Sequence, residues 1–138
     1  TRVPFIAYWK NKIKAGVSDQ IISQLDLFNS ISKMIDSDIR TEDGKDLSNL
    51  ILNNTGEGRS ELVIEAMGRT AYRNKELVMI PPYKGRKIAK NVQVELGNST
   101  NYMLFDLVKD PYQKNNLARE KPEKLKFMIS SFEKIKKY

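Results

Sequence analysis

The densest group of side chains that could bind a metal ion lies in an acidic stretch between residues 36 and 46. Its carboxylates are Asp36, Asp38, Glu42, Asp43 and Asp46. Clustered carboxylates suit calcium, but an EF-hand loop needs glycine at its sixth position and glutamate at its twelfth. Counted from Asp38, these positions hold Asp43 and Asn49. The spacing therefore predicts a solvated acidic loop rather than a calcium site.

The chain of 138 residues contains no cysteine and no histidine. Disulfides, thiol nucleophiles, zinc–thiolate sites, imidazole ligands and Ser-His-Asp triads are thereby excluded from it. Any catalysis within the chain would have to use carboxylates, lysines or tyrosines alone. The sequence also has no glycine-rich phosphate loop of the Walker or dinucleotide type.

Charge is distributed unevenly along the chain. The net charge is +7, and the 68 residues from 71 onward carry 15 Lys and Arg against 7 Asp and Glu. A basic half favours polyanions such as nucleic acid, an acidic membrane or a sulfated sugar. A lysine-rich solvated surface explains the same excess, because many of these lysines fall on one amphipathic helix. No apolar run approaches the roughly 20 residues needed to span a bilayer.

The first half of the chain predicts one strand and one helix. Residues 3–9 form a short apolar run typical of a buried strand. Ser18 predicts the N-cap of a helix over residues 18–35. Asp26 within that helix is expected at a surface or partly satisfied position rather than as a metal ligand. The apolar face of the helix is expected to consist of Ile21, Ile22, Leu25, Phe28, Ile31 and Ile35.

The second half follows a break at residues 53–58, where the periodicity changes to two. Strands are predicted over residues 62–66, 70–73, 76–80, 92–96 and 102–107. The second and third of them form a hairpin across Asn74 and Lys75. A final helix is predicted over 122–138, with its apolar stripe formed by Leu125, Met128, Ile129, Phe132 and Ile135.

The segment from Leu104 to Ala118 carries turn signals at closely spaced positions. Asp110 and Pro111 open a turn, because proline fixes φ and aspartate bonds the backbone beyond it. Asn115 and Asn116 tolerate left-handed backbone and end a short helical turn. These residues predict a structural anchor rather than an active site.

The same segment resembles the C-terminal signature of the type I sulfatases, which runs roughly L-Y/F-D-L-x-x-D-P-x-E-x-x-N-L-A. Further segments resemble that family in the same order along the chain. They are residues 2–9 (R-V-P strand), 23–31 (D-L-x-P-T helix), 43–48 (D-G-x-D-L) and, more weakly, 73–80. This sequence departs from the family pattern at several positions. Asn29 and Ser30 stand where the family usually has Pro-Thr, and Gln113 stands where it usually has glutamate.

The resemblance implies an α+β fold. Residues 1–55 would supply the last strand and helix at the edge of an α/β catalytic domain. Residues 56–138 would form a C-terminal subdomain, a small antiparallel sheet packed against a C-terminal helix. The parent enzyme would hydrolyse sulfate esters of carbohydrates or aryl groups, using calcium and a formylglycine made in a C/S-x-P-x-R motif. That motif is absent here, so no catalytic or metal residue is carried over and the chain alone is predicted to be inactive.

The resemblance also implies where a substrate could be contacted. Loops of this subdomain border the substrate pocket in the family, which makes Arg69, Tyr72, Arg73, Tyr83 and Lys84 candidate substrate contacts. The expected partners are the N-terminal catalytic portion of the same protein, a sulfated substrate and a second copy paired through the edge of the 3–9 strand. Neither nucleic acid nor a membrane span is expected, and the family is periplasmic or secreted.

Two other interpretations remain open on the sequence alone. A phosphodiesterase or phosphonate hydrolase of the same superfamily would share parts of this tail. A basic module that binds nucleic acid or anionic membrane would share the charge, although its basic segments lack the repeated aromatic residues typical of such modules.

Overall fold

The chain folds into two compact units, Thr1–Ser60 and Glu61–Tyr138. This computed structural model describes residues 3–66 and 68–136. Arg2, Lys137 and Tyr138, which belong to predicted elements, lie outside the described residues. The division falls five residues after the boundary expected from the sequence. Within the described ranges, no helix is both long and apolar enough to cross a membrane.

Within residues 3–60, the first unit contains two helices, α1 (Gln24–Met34) and α2 (Ser48–Asn53). The predicted N-cap at Ser18 is wrong, because α1 begins after Ser23. The Ser23 hydroxyl accepts a hydrogen bond from the Leu25 N–H at 3.4 Å, and the Asp26 carboxylate accepts one from the Ser23 N–H at 2.8 Å. This reciprocal capping satisfies N–H groups that a helix start otherwise leaves unpaired.

The strand predicted over residues 3–9 is not formed. The segment is irregular and ends in a turn, where the N–H groups of Lys12 and Ile13 both donate to the Trp9 carbonyl at 3.0 Å. A strand needs a neighbouring strand to satisfy its backbone groups, and the described residues of this unit supply none. The strand edge expected to pair with a second copy is therefore not present in this structure.

Helix α1 buries its polar face, which is the reverse of the predicted orientation. Asp26, Asn29, Ser30 and Ser32 are buried, with Asp26 only 1% exposed. The predicted apolar face instead points outward over most of its length. Its exposed members are Leu25 (55%), Phe28 (48%), Ile31 (53%) and Ile35 (65%).

The buried carboxylate of Asp26 is paired with Arg59. Arg59 Nη2 donates to Asp26 Oδ1 at 2.6 Å. Arg59 Nε donates to Oδ1 at 3.0 Å and to Oδ2 at 2.9 Å. The Lys45 N–H donates to Oδ1 at 2.8 Å. Burial raises the pKa of Asp26, but the hydrogen bonds from Arg59, Lys45 and Ser23 outweigh burial and hold the pKa below its usual value. Asp26 is therefore a buried and fully paired ion, whereas the sequence suggested a surface or partly satisfied position.

Asn29 and Ser30 hold the following loop against α1. Asn29 Nδ2 donates to the carbonyls of Thr41 at 3.0 Å and Gly44 at 2.5 Å, and its Oδ1 accepts from the Thr41 N–H at 2.8 Å. The Ser30 hydroxyl accepts from the Leu47 N–H at 2.9 Å. A Cβ at position 44 would lie 2.7 Å from the Leu25 carbonyl oxygen, so this approach requires glycine.

We expect Asp26→Asn to destabilise the first unit strongly. The substitution leaves the Arg59 guanidinium without its charge partner, and breaking a buried pair in this way costs about 3 kcal/mol or more. Urea denaturation at neutral pH, followed by circular dichroism, measures the loss. Asp38→Asn is the matched control because Asp38 is exposed, and a similar loss in both variants would contradict the ion-pair assignment.

The second unit is a four-stranded antiparallel sheet with one helix packed on it. The strands are β1 (Glu61–Ala66), β2 (Arg69–Asn74), β3 (Leu77–Ile80), β4 (Ile88–Ala89), β5 (Val94–Glu95) and β6 (Met103–Asp106). The sheet has the order β1-β2-β3-β6, and a separate hairpin is formed by β4 and β5. The α+β prediction and the hairpin across Asn74 and Lys75 are confirmed. Asn74 Oδ1 fixes that turn by accepting from the N–H groups of Glu76 and Leu77 at 3.0 and 2.7 Å.

The final helix, α3 (Pro122–Ile135), covers one face of this sheet. Met128 and Phe132 are buried against Tyr72, whose ring lies 6.1 Å from that of Phe132. Leu125 and Ile129 pack partly buried beside them. The predicted stripe is thus confirmed at these four positions, whereas Ile135 at the helix end is exposed. The rest of this core consists of Leu77, Met79 and Leu104, with Val63, Tyr102, Leu117 and Ala118 partly buried.

The segment after β6 is a turn built by three of its own polar side chains. Asp106 Oδ1 accepts from the N–H groups of Val108 and Lys109 at 3.1 and 3.0 Å. Asp110 Oδ2 accepts from the Asn115 N–H at 2.7 Å. Asn116 Oδ1 accepts from the N–H groups of Leu104 at 3.0 Å and of Ala118 at 3.0 Å. Asn116 thus joins the strand to the chain that leads into α3.

We expect Asn116→Ala to destabilise the second unit by about 1–2 kcal/mol, because the buried Leu104 N–H loses its acceptor. Asn116→Asp keeps the oxygen and should lose much less. Asn115→Ala is the neighbouring control, since only the backbone N–H of Asn115 takes part in the turn. Equal thermal midpoints for Asn116→Ala and Asn115→Ala would contradict the bridging role.

Candidate functional site

The five candidate substrate residues lie on β2 and in the loop after β3, but the structure does not bring them all together. Successive side chains of a strand point to opposite faces. Arg69 and Arg73 therefore share one face of the sheet, and Tyr72 lies on the other, towards α3. Tyr83 and Lys84 follow the end of β3, where both are exposed.

Tyr72 is a core residue with an exposure of 1%. Its hydroxyl donates to the Glu61 carboxylate. Burial, together with that carboxylate, raises the pKa of Tyr72 to about 12. The side chain packs the sheet against α3, and a ligand outside the unit would not reach its hydroxyl.

Arg73 is half-buried, and its Nε donates to the Asn74 carbonyl at 3.4 Å. It lies four residues from Arg69 on the same face of β2. Four residues along a strand separate the two Cα atoms by roughly 13 Å, so Arg73 does not join the residues that contact Arg69.

Arg69 and Tyr83 meet at a site that also contains Asn98, and we call these three residues the Arg69 cluster. The Arg69 guanidinium carbon lies 5.4 Å from the centre of the Tyr83 ring, a cation–π geometry. Arg69 Nη1 donates to the Leu96 carbonyl at 3.2 Å and to Asn98 Oδ1 at 3.3 Å. Its Nε is buried without a hydrogen-bond partner among the described residues.

Asn98 is the member of the cluster that sequence reasoning missed. It is buried, and its Nδ2 donates to the Arg86 carbonyl at 2.5 Å. A Cβ on Gly85 would lie 2.8 Å from that Nδ2, so a larger residue at position 85 would require the Asn98 side chain to move. The sequence signal at this position is the Gly97-Asn98 pair, which is typical of a turn and does not indicate a contact with Arg69.

The loop beside the cluster is basic and exposed. Lys84, Arg86 and Lys87 all lie at the surface. Arginine and lysine beside an exposed tyrosine ring suit an anionic sugar, because the cations bind the acid groups and the ring packs on the sugar face. The arrangement can bind an anion, but it offers no nucleophile or general base.

The carboxylates of the described residues do not converge on a point where calcium could bind. Among residues 3–66 and 68–136, no group of three or more acidic side chains lies close enough to hold a metal ion. The most buried carboxylate, Asp26, already accepts hydrogen bonds from Arg59 and from the backbone N–H groups of Ser23 and Lys45. The acidic residues of the 36–46 loop therefore supply charge rather than a coordination sphere.

A shallow groove of about 290 Å³ lies elsewhere on the second unit. It is lined by Val63, Glu65, Thr70, Phe132, Ile135 and Lys136. None of the five candidate residues lines it, so it is a separate feature from the Arg69 cluster.

No family model matches the chain. The chain is 29% identical over 140 residues to the N-acetylgalactosamine-6-O-sulfatase of Bacteroides thetaiotaomicron, and the match covers 99% of this chain and 27% of that protein. A solved Bacteroides thetaiotaomicron structure, labelled 6S-sulf and described with the metabolism of multiple glycosaminoglycans, superposes with a TM-score of 0.78 at 25% identity. In sequence and in fold, this chain matches a C-terminal portion of a sulfatase.

The extent of the structural match agrees with that assignment. The 6S-sulf superposition covers 86% of this chain and 26% of the solved one. A second solved structure, the yidJ protein of Bacteroides fragilis, superposes with a TM-score of 0.58 over 87% of the chain at 20% identity, which supports the fold alone. The chain thus spans about a quarter of the length of the relatives it matches.

Two of the segments that resemble the sulfatase family contact each other in the structure. Asp26, in the first segment, accepts from the Lys45 N–H of the second, and Asn29 donates to the Gly44 carbonyl. Asn29 and Ser30 stand where the family pattern has Pro-Thr, yet both side chains bond this loop. The two residues that depart from the family pattern are therefore among those that join the two segments.

Proposed function

We propose that this sulfatase portion belongs to an enzyme that hydrolyses sulfate esters of carbohydrates, and that it serves that enzyme as scaffold and as rim of the substrate pocket. The observation that carries the proposal is the 29% identity to an N-acetylgalactosamine-6-O-sulfatase along 99% of the chain. A glycosaminoglycan-related structure with a TM-score of 0.78 supports the same substrate class.

The chemistry would be supplied by the rest of the enzyme. The chain lacks cysteine, histidine and a C/S-x-P-x-R motif, so the formylglycine nucleophile would be provided by another portion. The calcium ligands would be provided there as well, because the described residues do not fit a metal. A periplasmic or secreted enzyme is proposed on the family resemblance.

Within the second unit, the Arg69 cluster is the best candidate for the pocket rim. Arg69 is held in place by Leu96 and Asn98 through Nη1 alone. A guanidinium fixed in this way can offer the N–H groups of its Nη2 to the oxygens of a sulfate or carboxylate, with little loss of side-chain entropy on binding. Lys84 in the adjoining loop would add long-range attraction for a polyanionic chain.

The rim role predicts that the chain binds a sulfated glycan weakly and in a salt-dependent manner. We expect Arg69→Ala and Lys84→Ala each to weaken binding of chondroitin sulfate at low salt by about threefold to tenfold, as expected for a charge-assisted contact. Lys124→Ala is the matched control, because it removes the same charge from an exposed position on α3. Calorimetry or fluorescence polarisation with a labelled oligosaccharide measures the affinities.

The salt series decides whether the contact is electrostatic. Binding should fall steeply between low salt and physiological salt, because exposed charges are screened over about 8–10 Å under those conditions. Equal losses of affinity in Lys84→Ala and Lys124→Ala would show that Lys84 contributes only general electrostatic attraction, which would contradict its place at the rim. Binding that is unchanged at high salt, or absent at low salt, would contradict the proposal, as would turnover of an aryl sulfate by the chain alone.

A further inference from the structure

The four-stranded sheet of the second unit has two outer strands, and the described residues of that unit cover only one of them. The segment after β6 closes the outer side of that strand. The Leu104 N–H donates to Asn116 Oδ1 at 3.0 Å, and the Leu104 carbonyl accepts from the Leu117 N–H at 2.8 Å. The other outer strand, β1, pairs with β2 alone. An uncovered strand offers a row of backbone donors and acceptors to another chain.

The register of β1 shows which of its backbone groups face outward. Ala66 stands opposite Arg69 at the hairpin turn, and the residues that flank a two-residue turn exchange hydrogen bonds. Bonded and non-bonded pairs then alternate along the two strands. The N–H and carbonyl groups of Glu61, Val63 and Glu65 therefore point away from β2, and no described residue of the second unit bonds them. We call these three residues the β1 edge.

The groove of about 290 Å³ adjoins the β1 edge on the face that α3 covers. Val63 and Glu65 both line it, and Phe132 and Ile135 of α3 add apolar surface. A strand added to β1 would lie about 4.8 Å from it, with its side chains in register with those of β1. The side chain opposite Val63 would then lie over the groove. An apolar side chain suits this position because the groove is mainly apolar there.

The charges of the β1 edge select among possible partners. Glu61 and Glu65 are exposed and flank Val63 on one face of the strand. Directly opposite strand residues attract when their charges differ and repel when they match. The register that pairs two copies along the whole edge would place Glu61 of one copy opposite Glu65 of the other. The edge thus disfavours a second copy and favours a strand with basic residues on both sides of an apolar one.

The same glutamates indicate that the β1 edge meets water in the free protein. Sheet edges that stay exposed commonly carry charged side chains, which keep them from pairing indiscriminately. Where this chain covers an edge permanently, at β6, it uses Leu117, which packs partly buried against the core. The contrast favours a partner that binds and leaves over a fixed covering segment.

We propose that the β1 edge binds an extended segment of a separate protein by antiparallel strand addition. The segment carries lysine or arginine two residues before and two residues after an apolar side chain. Backbone hydrogen bonds to the edge give affinity, and alternate side chains give specificity. Glu65 carries more of the charge selection, because the Glu61 carboxylate already accepts from the Tyr72 hydroxyl. The site lies on the opposite sheet face from Arg69 and does not depend on sulfate ester hydrolysis.

Amide hydrogen exchange tests the strand addition directly. The probe is a blocked peptide, Ser-Thr-Lys-Thr-Ile-Thr-Lys-Thr-Ser, titrated into the isotope-labelled chain and followed by NMR. Exchange at Val63 and Glu65 should slow by about tenfold at saturation, because each N–H gains a carbonyl partner. Leu62 and Ile64, already bonded to β2, should change little. Unchanged exchange at Val63 and Glu65 would overturn the proposal.

Methylated peptides separate backbone pairing from general attraction. The peptide isoleucine would bond Val63, so its N-methyl form should bind about threefold to tenfold more weakly, as expected for a lost hydrogen bond. The N–H of the neighbouring threonine would face away from β1, so N-methylation there should leave the affinity nearly unchanged. Equal affinities of the two methylated peptides would contradict strand addition.

Charge exchange tests the selection by Glu65. Glu65→Lys should weaken binding of the lysine peptide by about fivefold and strengthen binding of a peptide with glutamate at both lysine positions. Glu76→Lys is the matched control, because Glu76 is exposed in the turn before β3, away from the edge. Equal losses in the two variants would overturn the selection. Equal binding of the lysine and glutamate peptides to the unaltered chain would do so without any variant.

Two results would assign the β1 edge to another occupant. Slow exchange at Val63 and Glu65 before peptide is added, together with a dimer in sedimentation, would assign the edge to a second copy. The chain can also replace the matching part of the N-acetylgalactosamine-6-O-sulfatase. Slow exchange of residues 61–66 in that chimera, measured by mass spectrometry without peptide, would assign the edge to the enzyme's own chain. Either result would overturn the proposal.

Discussion

The first unit depends on one buried carboxylate. The Asp26 carboxylate accepts hydrogen bonds from the Arg59 guanidinium and from the N–H groups of Ser23 and Lys45. This one side chain therefore caps α1 and fixes both the following loop and the Arg59 end of the unit. An ion that is 1% exposed is tolerated only when it is paired in this way. This constraint sets the rotation of α1, and the rotation in turn leaves the apolar face of the helix outside.

The same constraint explains why the sequence predicted α1 in the wrong orientation. Helical periodicity correctly located an apolar face, but it cannot say whether that face is buried by this chain or by another portion of a protein. Asp26 looked like a surface residue because its partner, Arg59, lies 33 positions away. The strand predicted at 3–9 failed for a related reason, since a strand forms only beside a partner that the described residues of the unit lack.

The second unit was more predictable because its contacts are mostly between neighbours in sequence. Asn74 fixes a hairpin through the N–H groups of the next residues, and Met128 and Phe132 recur at the spacing that α3 needs to cover the sheet. The Asp106–Asn116 turn was also identified as structural. The candidate site could be predicted only in part from the sequence. Strand alternation places Tyr72 in the core, and Asn98 joins the site through loop contacts with Arg69 and Arg86. Arg69 and Tyr83 were named on family resemblance, and their role as substrate contacts stays a prediction.

The most direct measurement of this account is the titration of the Asp26 side chain in the intact chain, followed by NMR of its carboxyl carbon. If the pKa of Asp26 is lower in the folded state than in the unfolded state, ionised Asp26 stabilises the unit fully at pH values above the unfolded-state pKa. This stabilisation is lost as the pH falls through the folded-state pKa. We predict a pKa below the ordinary 3.8, with amide signals of α1 and the 41–47 loop changing together as Asp26 is protonated. A pKa at or above 3.8, or an unchanged α1 after protonation, would contradict the claim that this ion fixes the helix.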